Sequence, residues 1–142
     1  FVDLVQSDHD VQIRDWTGEG GPAHSLSAGI VILAHGPESE VERYLEGDLE
    51  ALTQHTLRTP EELQERLTLA RSAGYAWVQE EFAEGINSVA APVFGPEGVI
   101  AALRVHGPTY RFPDPDRTHD LGRLVADAAD RLSRQLQQLR IR

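Results

Sequence analysis

Two residues at the end of an apolar run could do chemistry. If Val99 to His106 is a β-strand, its side chains alternate between two faces. Ile100, Ala102, Arg104 and His106 then share one face, and Val99, Ala101, Leu103 and Val105 the other. The second face is uniformly apolar and is expected to be core. The first sets a guanidinium beside an imidazole, with Ala102 leaving space next to them. A guanidinium binds a carboxylate through two parallel hydrogen bonds. An imidazole adds a donor or changes charge near neutral pH. The pair suits a small organic anion. Two plainer readings stand beside it: an ordinary solvent-facing strand surface, or Arg104 paired with Glu80 or Glu81. The residues alone favour these.

Other constellations carry less. Glu80 and Glu81 could form a catalytic carboxylate pair, but adjacent strand residues point to opposite faces. There is no Gly-x-Ser-x-Gly elbow, no His-Glu-x-x-His pair and no phosphate loop. The six histidines are scattered without ligand spacing, and His24 is expected to make a structural hydrogen bond rather than bind a metal. Without cysteine there is neither a disulfide framework nor a thiolate metal site. No catalytic residue, metal or cofactor is implied. Trp16 and Trp77 are expected in the core or in a pocket wall, with Trp16 close to the ligand.

The elements that must position Arg104 and His106 are legible in outline. Val2 to Gln6 and Val11 to Trp16 read as short strands joined by the turn Ser7-Asp8-His9-Asp10. Gly18 to Pro22 is a glycine-rich loop. Ser25 or Ser27 can cap a short apolar helix running to about Ala34, which Gly36 ends in a left-handed cap before Pro37. Glu38 to Leu45 reads as a second helix. Thr59-Pro60-Glu61-Glu62 is a capping box opening a third, with Leu63, Leu67 and Ala70 on one face and Gly74 at its end. Tyr75 to Gln79, Ile86 to Phe94 and Val99 to His106 read as strands, the last two joined as a hairpin through Gly95 to Gly98. A final long helix opens at Thr118. Its stripe Leu121, Leu124, Val125, Ala128, Leu132, Leu136, Leu139 is expected to pack on the sheet, with a helix–helix partner contact as the alternative. Separated runs of helices and strands point to an α+β domain with a central antiparallel sheet.

Composition excludes several classes. The 142 residues carry a net charge of −10, which repels phosphate backbones, so this segment is not expected to bind nucleic acid by itself. No apolar run approaches the roughly 18 residues of a membrane span, and none resembles a signal peptide. Together with the missing cysteine, this fits a cytoplasmic location. The chain opens on Phe1-Val2 and contains no methionine, as expected of a piece of a longer protein.

Three stretches share their pattern with one family. Pro22-Ala23-His24-Ser25-Leu26-Ser27-Ala28-Gly29 through Ala34 resembles the P-L-H-x-x-x-x-G-x-x-x-L-A run of IclR-type effector domains, with Ala23 where leucine is usual. Gly74-Tyr75-Ala76, Glu80-Glu81 and Gly85 through Ala90-Ala91-Pro92-Val93 resemble the G-Y-A…E-E…G…A-A-P-V signature. Ala101-Ala102-Leu103-Arg104-Val105-His106-Gly107-Pro108, followed by Arg111, looks like the A-A-L-x-V-x-G-P-x-x-R close of the domain. Each is weak alone; in order and spread over most of the chain they are specific.

The resemblance implies a GAF-like effector-binding domain over residues 1–142, in a homodimer or homotetramer. The DNA-binding winged helix-turn-helix domain and the first strand of the effector domain would precede it. It also tips Arg104 and His106 toward a pocket, although relatives commonly carry small polar residues there. The other pocket positions it implies are Ile13, Ser27, Ala28, Val78 and Ser88. Core packing is the plain alternative for Ile13 and Val78, and a strand bulge would be needed to bring Ser88 to the Arg104 face. The expected function is sensing a small carboxylate, with DNA bound only through the preceding domain. A small acid/base enzyme using Arg104, His106 and a glutamate is one alternative, and a ligand-free oligomerisation domain is another.

Overall fold

The computed structural model describes residues 1–8 and 12–139. Its elements are α1 (Ser27–His35), α2 (Glu38–Leu45), α3 (Pro60–Ala73), β1 (Ala76–Gln79), β2 (Ile86–Gly95), β3 (Gly98–Pro108) and α4 (Thr118–Leu139). Short 3-10 turns precede α1 and α4 at Ala23–Ser25 and Pro115–Arg117. The strands form one antiparallel sheet in the order β1-β2-β3.

The sheet separates two apolar layers. On one face Ile30, Val31 and Ala34 of α1, Val41 of α2 and Leu63, Leu67 and Ala70 of α3 pack on Ala76, Val78 and Ala90. On the other, Val125 and Ala129 of α4 pack on Val89, Ala91 and Val93, with Leu121, Leu132 and Leu136 at their flanks. The α4 stripe thus meets the sheet, although Leu124 and Leu139 at its margins stay exposed. The fit at the start of α4 is close: a Cβ on Gly122 would lie 2.4 Å from the Tyr75 ring.

Local chemistry set the boundaries of α3 as expected. The Thr59 side chain accepts from the Glu62 N–H while the Glu62 carboxylate accepts from the Thr59 N–H, and Gly74 closes the helix at φ 82° in the left-handed region. The ends of α1 differ from expectation. Leu26 occupies the cap position with no side-chain cap. Ser25 Oγ instead donates to Pro22 O at 2.8 Å, and Ser27 is drawn inward to β2. Gly36 is extended rather than left-handed (φ −85°, ψ 179°), because the residue before a proline is pushed out of helical space.

Two further expectations are corrected. The described residues of the N-terminal segment, including Val2 to Gln6 and 12–16, form no strand; His9, Asp10 and the start of the second expected strand at Val11 lie outside the described residues. Val2 and Val5 are 94% and 93% exposed. A two-stranded ribbon with no apolar face to cover is only marginally stable in water. The segment is tied back instead by its backbone and rings: Gly18 N donates to Phe1 O at 2.9 Å, and the Phe1 ring stands 6.3 Å from Trp16.

The second correction concerns β3. Its register against β2 shifts between Val93 and Phe94: Val93 pairs with Ala101 but Phe94 with Val99. Ile100 is the extra residue of this bulge, and the alternation reverses there. Val99 therefore faces the α1 side with Phe94, which packs edge-on against His35 at 5.6 Å. Ile100 leaves the Arg104 face and joins Leu136 and Leu139 of α4. Nor is the opposite face of β3 uniformly core. Leu103 packs under α4, but Ala101 and Val105 are exposed because β3 is an edge strand and α4 is centred on β2.

Candidate functional site

The bulge puts Ser88 on the Arg104 face. Ser88 pairs with His106 and Ala90 with Arg104, while on the other side Ser88 pairs with Val78. Val78, Ser88 and His106 thus form one row across the three strands, with Arg104 in the next row. The first residue of α1 closes on this row: Ser27 Oγ lies 2.8 Å from Ser88 Oγ. Both serines are buried, so each hydroxyl is committed to the other. Val78 is buried in the core under α1, and Ala28 packs half-buried against the same cluster. Ile13 lies elsewhere, in a cleft at the outer edge of β3 with Arg104 and His106.

That cleft measures about 390 Å³ and is lined by Leu4, Gln6, Ile13, Arg104, His106 and Arg111, among others. Although the chain carries 23 acidic residues, none of the described residues lining the cleft is Asp or Glu. Nε and Nη1 of Arg104 are buried with no hydrogen-bond partner. Burial lowers the Arg104 pKa to about 10, so the side chain remains a cation at neutral pH. The His106 pKa is lowered from 6.5, first by burial and then by the charge of Arg104. A buried cation with unmet donors is a costly arrangement that an anion relieves.

One aromatic ring stacks on the guanidinium. Arg104 Cζ lies over the Phe1 ring, 4.7 Å from its centroid. Trp16 stands 6.3 Å from Phe1, 6.4 Å from His106 and 5.6 Å from Phe82, edge-on to the last two. Trp16 thus packs beside His106 without lining the cleft itself, whereas Trp77 packs in the α4 layer 5.6 Å from Phe112. Phe1 and Phe82 have no signal in the spacing of the sequence. Gly21 is the indirect one: a Cβ there would lie 2.9 Å from the Phe82 ring, so a side chain at this point of the glycine-rich loop would have to displace that ring.

The paired glutamates serve the fold. Glu81 is buried and its carboxylate meets the Arg66 guanidinium at 3.1 Å and the Gln79 N–H at 3.0 Å. Glu80 sits at φ 53° and accepts from the Gly85 N–H at 2.9 Å. Thr53 and Thr56 donate to the carbonyls of Glu80 and Glu81. The partner of Glu81 is therefore Arg66, not Arg104. His24 is structural as expected: Nδ1 lies 2.7 Å from Tyr44 Oη and Nε2 2.8 Å from Glu50 O. Among the described residues no three His, Cys, Asp or Glu side chains gather where they could hold a metal ion. No helix there is long and apolar enough to cross a membrane.

A three-stranded antiparallel sheet between helical layers, with a cationic cleft at its edge, defines an α+β domain of the GAF-like kind. The family of bacterial transcriptional regulator IclR C-terminal domains matches residues 1–134, and the chain belongs to it. The HTH-type transcriptional regulator KdgR of Dickeya chrysanthemi is 33% identical over 138 residues, 96% of this chain and 45% of that protein. The crystal structure of Thermotoga maritima IclR superposes with a TM-score of 0.86 at 28% identity, covering 94% of this chain and 55% of that one. The PobR inducer-binding domain from Acinetobacter, solved as a double mutant with 3-hydroxybenzoic acid, gives a TM-score of 0.76 at 28% identity, covering 92% and 76%. The chain spans about half the length of the curated relatives it matches.

Proposed function

We propose that this chain is the effector-sensing part of a transcription regulator and that its effector is a small organic acid held on Arg104. Ligand binding alters the geometry of a homo-oligomer, which repositions DNA-binding domains carried elsewhere in the full protein. Such coupling requires the ligand to prefer one assembly over the other. The observation that carries the reading is the pair of buried, unpartnered N–H groups on Arg104 in a cleft without a described acid. The hydroxybenzoate bound by the PobR domain supports it as a likeness.

The same cleft weighs against a ligand-free oligomerisation domain, for which a solidly packed Arg104 face would be needed. It weighs against an acid/base enzyme as well. Glu80 and Glu81 are engaged in holding the turn after β1, and neither lines the cleft with His106.

A thermal-shift screen of small carboxylates identifies binders, because a ligand specific to the native state raises the melting temperature. Calorimetry on Arg104→Ala then tests the anchor. Loss of a charged hydrogen bond is expected to cost about 1.5–3 kcal/mol of binding. Unchanged carboxylate affinity in that variant rules Arg104 out.

A further inference from the structure

We infer that the outer edge of β1 is a strand-pairing surface held shut by the Arg66–Glu81 ion pair, and that the partner it excludes is β1 of a second copy of this chain.

Among the described residues β1 has a neighbouring strand on one side only, because the sheet runs β1-β2-β3. Antiparallel strands bond through alternate residues. Glu80 N donates to Ile86 O at 3.0 Å, and in the same register Val78 pairs with Ser88 and Ala76 with Ala90. Trp77 and Gln79 therefore turn their backbone groups outward. An open edge of this kind is a template for another strand. The surroundings suit one. A groove of about 520 Å³ runs along the edge, walled by Leu69, Ala70 and Ala73 of α3, and Leu69 is 61% exposed.

Two side chains stand in the place of that strand. Arg66 Nη1 donates to Trp77 O at 3.2 Å, and Glu81 Oε2 accepts from Gln79 N–H at 3.0 Å. The two are joined to each other at 3.1 Å. The backbone bends to allow it. Glu80 at φ 53° folds Glu81 back onto the edge, and the Thr53 and Thr56 hydroxyls hold the Glu80 and Glu81 carbonyls.

The register points to the partner. Two copies of β1 paired antiparallel about a twofold axis at Val78 would set Trp77 of each copy opposite Gln79 of the other. Each Gln79 N–H would then donate to Trp77 O across the axis. These are the two groups that Glu81 and Arg66 already hold. The ion pair removes both symmetry-related bonds at once, and assembly is left to other surfaces of the domain.

Sedimentation velocity on the 142-residue chain tests this. Arg66→Met combined with Glu81→Leu frees the edge without leaving a lone buried charge. The mass of the folded species should roughly double relative to the unaltered chain as concentration rises. Adding Gln79→Pro deletes the outward N–H and costs no bond to β2, so the mass should return to that of the unaltered chain. Unchanged mass in the folded double variant, or growth that Gln79→Pro does not reverse, overturns the proposal. Hydrogen exchange on the unaltered chain supplies a reading that depends on no variant: the Gln79 amide should be protected although it faces away from β2. Exchange at the rate of the unfolded chain would mean that Glu81 does not close the edge, and the proposal would fall.

Discussion

Ser27 Oγ and Ser88 Oγ, 61 residues apart in sequence, meet at 2.8 Å with both side chains buried. The contact fixes the start of α1 over the middle strand, one pair away from His106. Replacing either serine by alanine leaves the other hydroxyl buried without a partner, which costs about 1–3 kcal/mol. Replacing both removes the orphan. The double variant should therefore lose less stability than the sum of the single losses, by about 0.5–3 kcal/mol. A urea-denaturation cycle measures this; strict additivity would mean that the two hydroxyls do not depend on each other.

Gly29 explains the glycine of the first family motif. A Cβ at this position would lie 2.3 Å from Ala23 O and 2.5 Å from Ala23 Cα. Both are backbone atoms and neither can swing aside, so Gly29→Ala must push α1 off the 3-10 turn that precedes it. The expected loss is near the upper end of the about 1–3 kcal/mol typical of overpacking. Gly47→Ala is the control: its nearest neighbour would be Tyr44 O at 3.6 Å, and its effect should stay within about 1 kcal/mol. Equal melting temperatures for the two variants would show that the Gly29 contact is not tight.

The histidine of the same motif is buried for hydrogen bonding. Tyr44 Oη accepts from the His24 backbone N–H at 3.1 Å and contacts Nδ1 at 2.7 Å. Tyr44→Phe removes both interactions at once while keeping the ring 6.0 Å from the imidazole. The loss should reach at least about 1–3 kcal/mol, the cost of leaving one buried polar group unsatisfied. Tyr110→Phe, at an exposed site, should change stability by less than about 0.5 kcal/mol. Chemical denaturation of the two variants side by side checks the contrast.

What the sequence revealed tracks how local its causes are. The limits of α2 and α3 came from caps and breakers within a few residues of each end, and the structure reproduces them. The face assignments on β3 held from Ala102 to His106 and failed at Ile100, because one bulge residue reverses alternation and no turn residue marks it. The N-terminal segments read as short strands, but Val2 and Val5 stay exposed and no strand forms among the described residues. At the site, Arg104 and His106 were legible as an odd pair in an apolar strand. Their surroundings were legible only in part: Trp16 was expected near them, whereas Phe1 and Phe82 meet Trp16 only through the glycine-rich loop and the turn after β1.

His106 makes the cleft sensitive to pH in a direction that can be worked out. Its pKa in the folded chain lies below 6.5, from burial and from Arg104. Below about pH 6.5 the unfolded chain takes up this proton more readily than the folded one, so folded stability declines as pH falls toward the lowered value. Well above about pH 6.5 the imidazole is neutral in both states and this loss is absent. A carboxylate on Arg104 offsets the neighbouring cation and adds an anion, which raises the His106 pKa in the complex. Binding therefore takes up a proton, and affinity should increase as pH falls toward and below the ordinary histidine value of about 6.5. His106→Asn should flatten that increase and keep the binding due to Arg104. Calorimetry in buffers of differing ionisation enthalpy reads the proton uptake directly. Affinity that is independent of pH over this range in the unaltered chain would place the ligand away from His106.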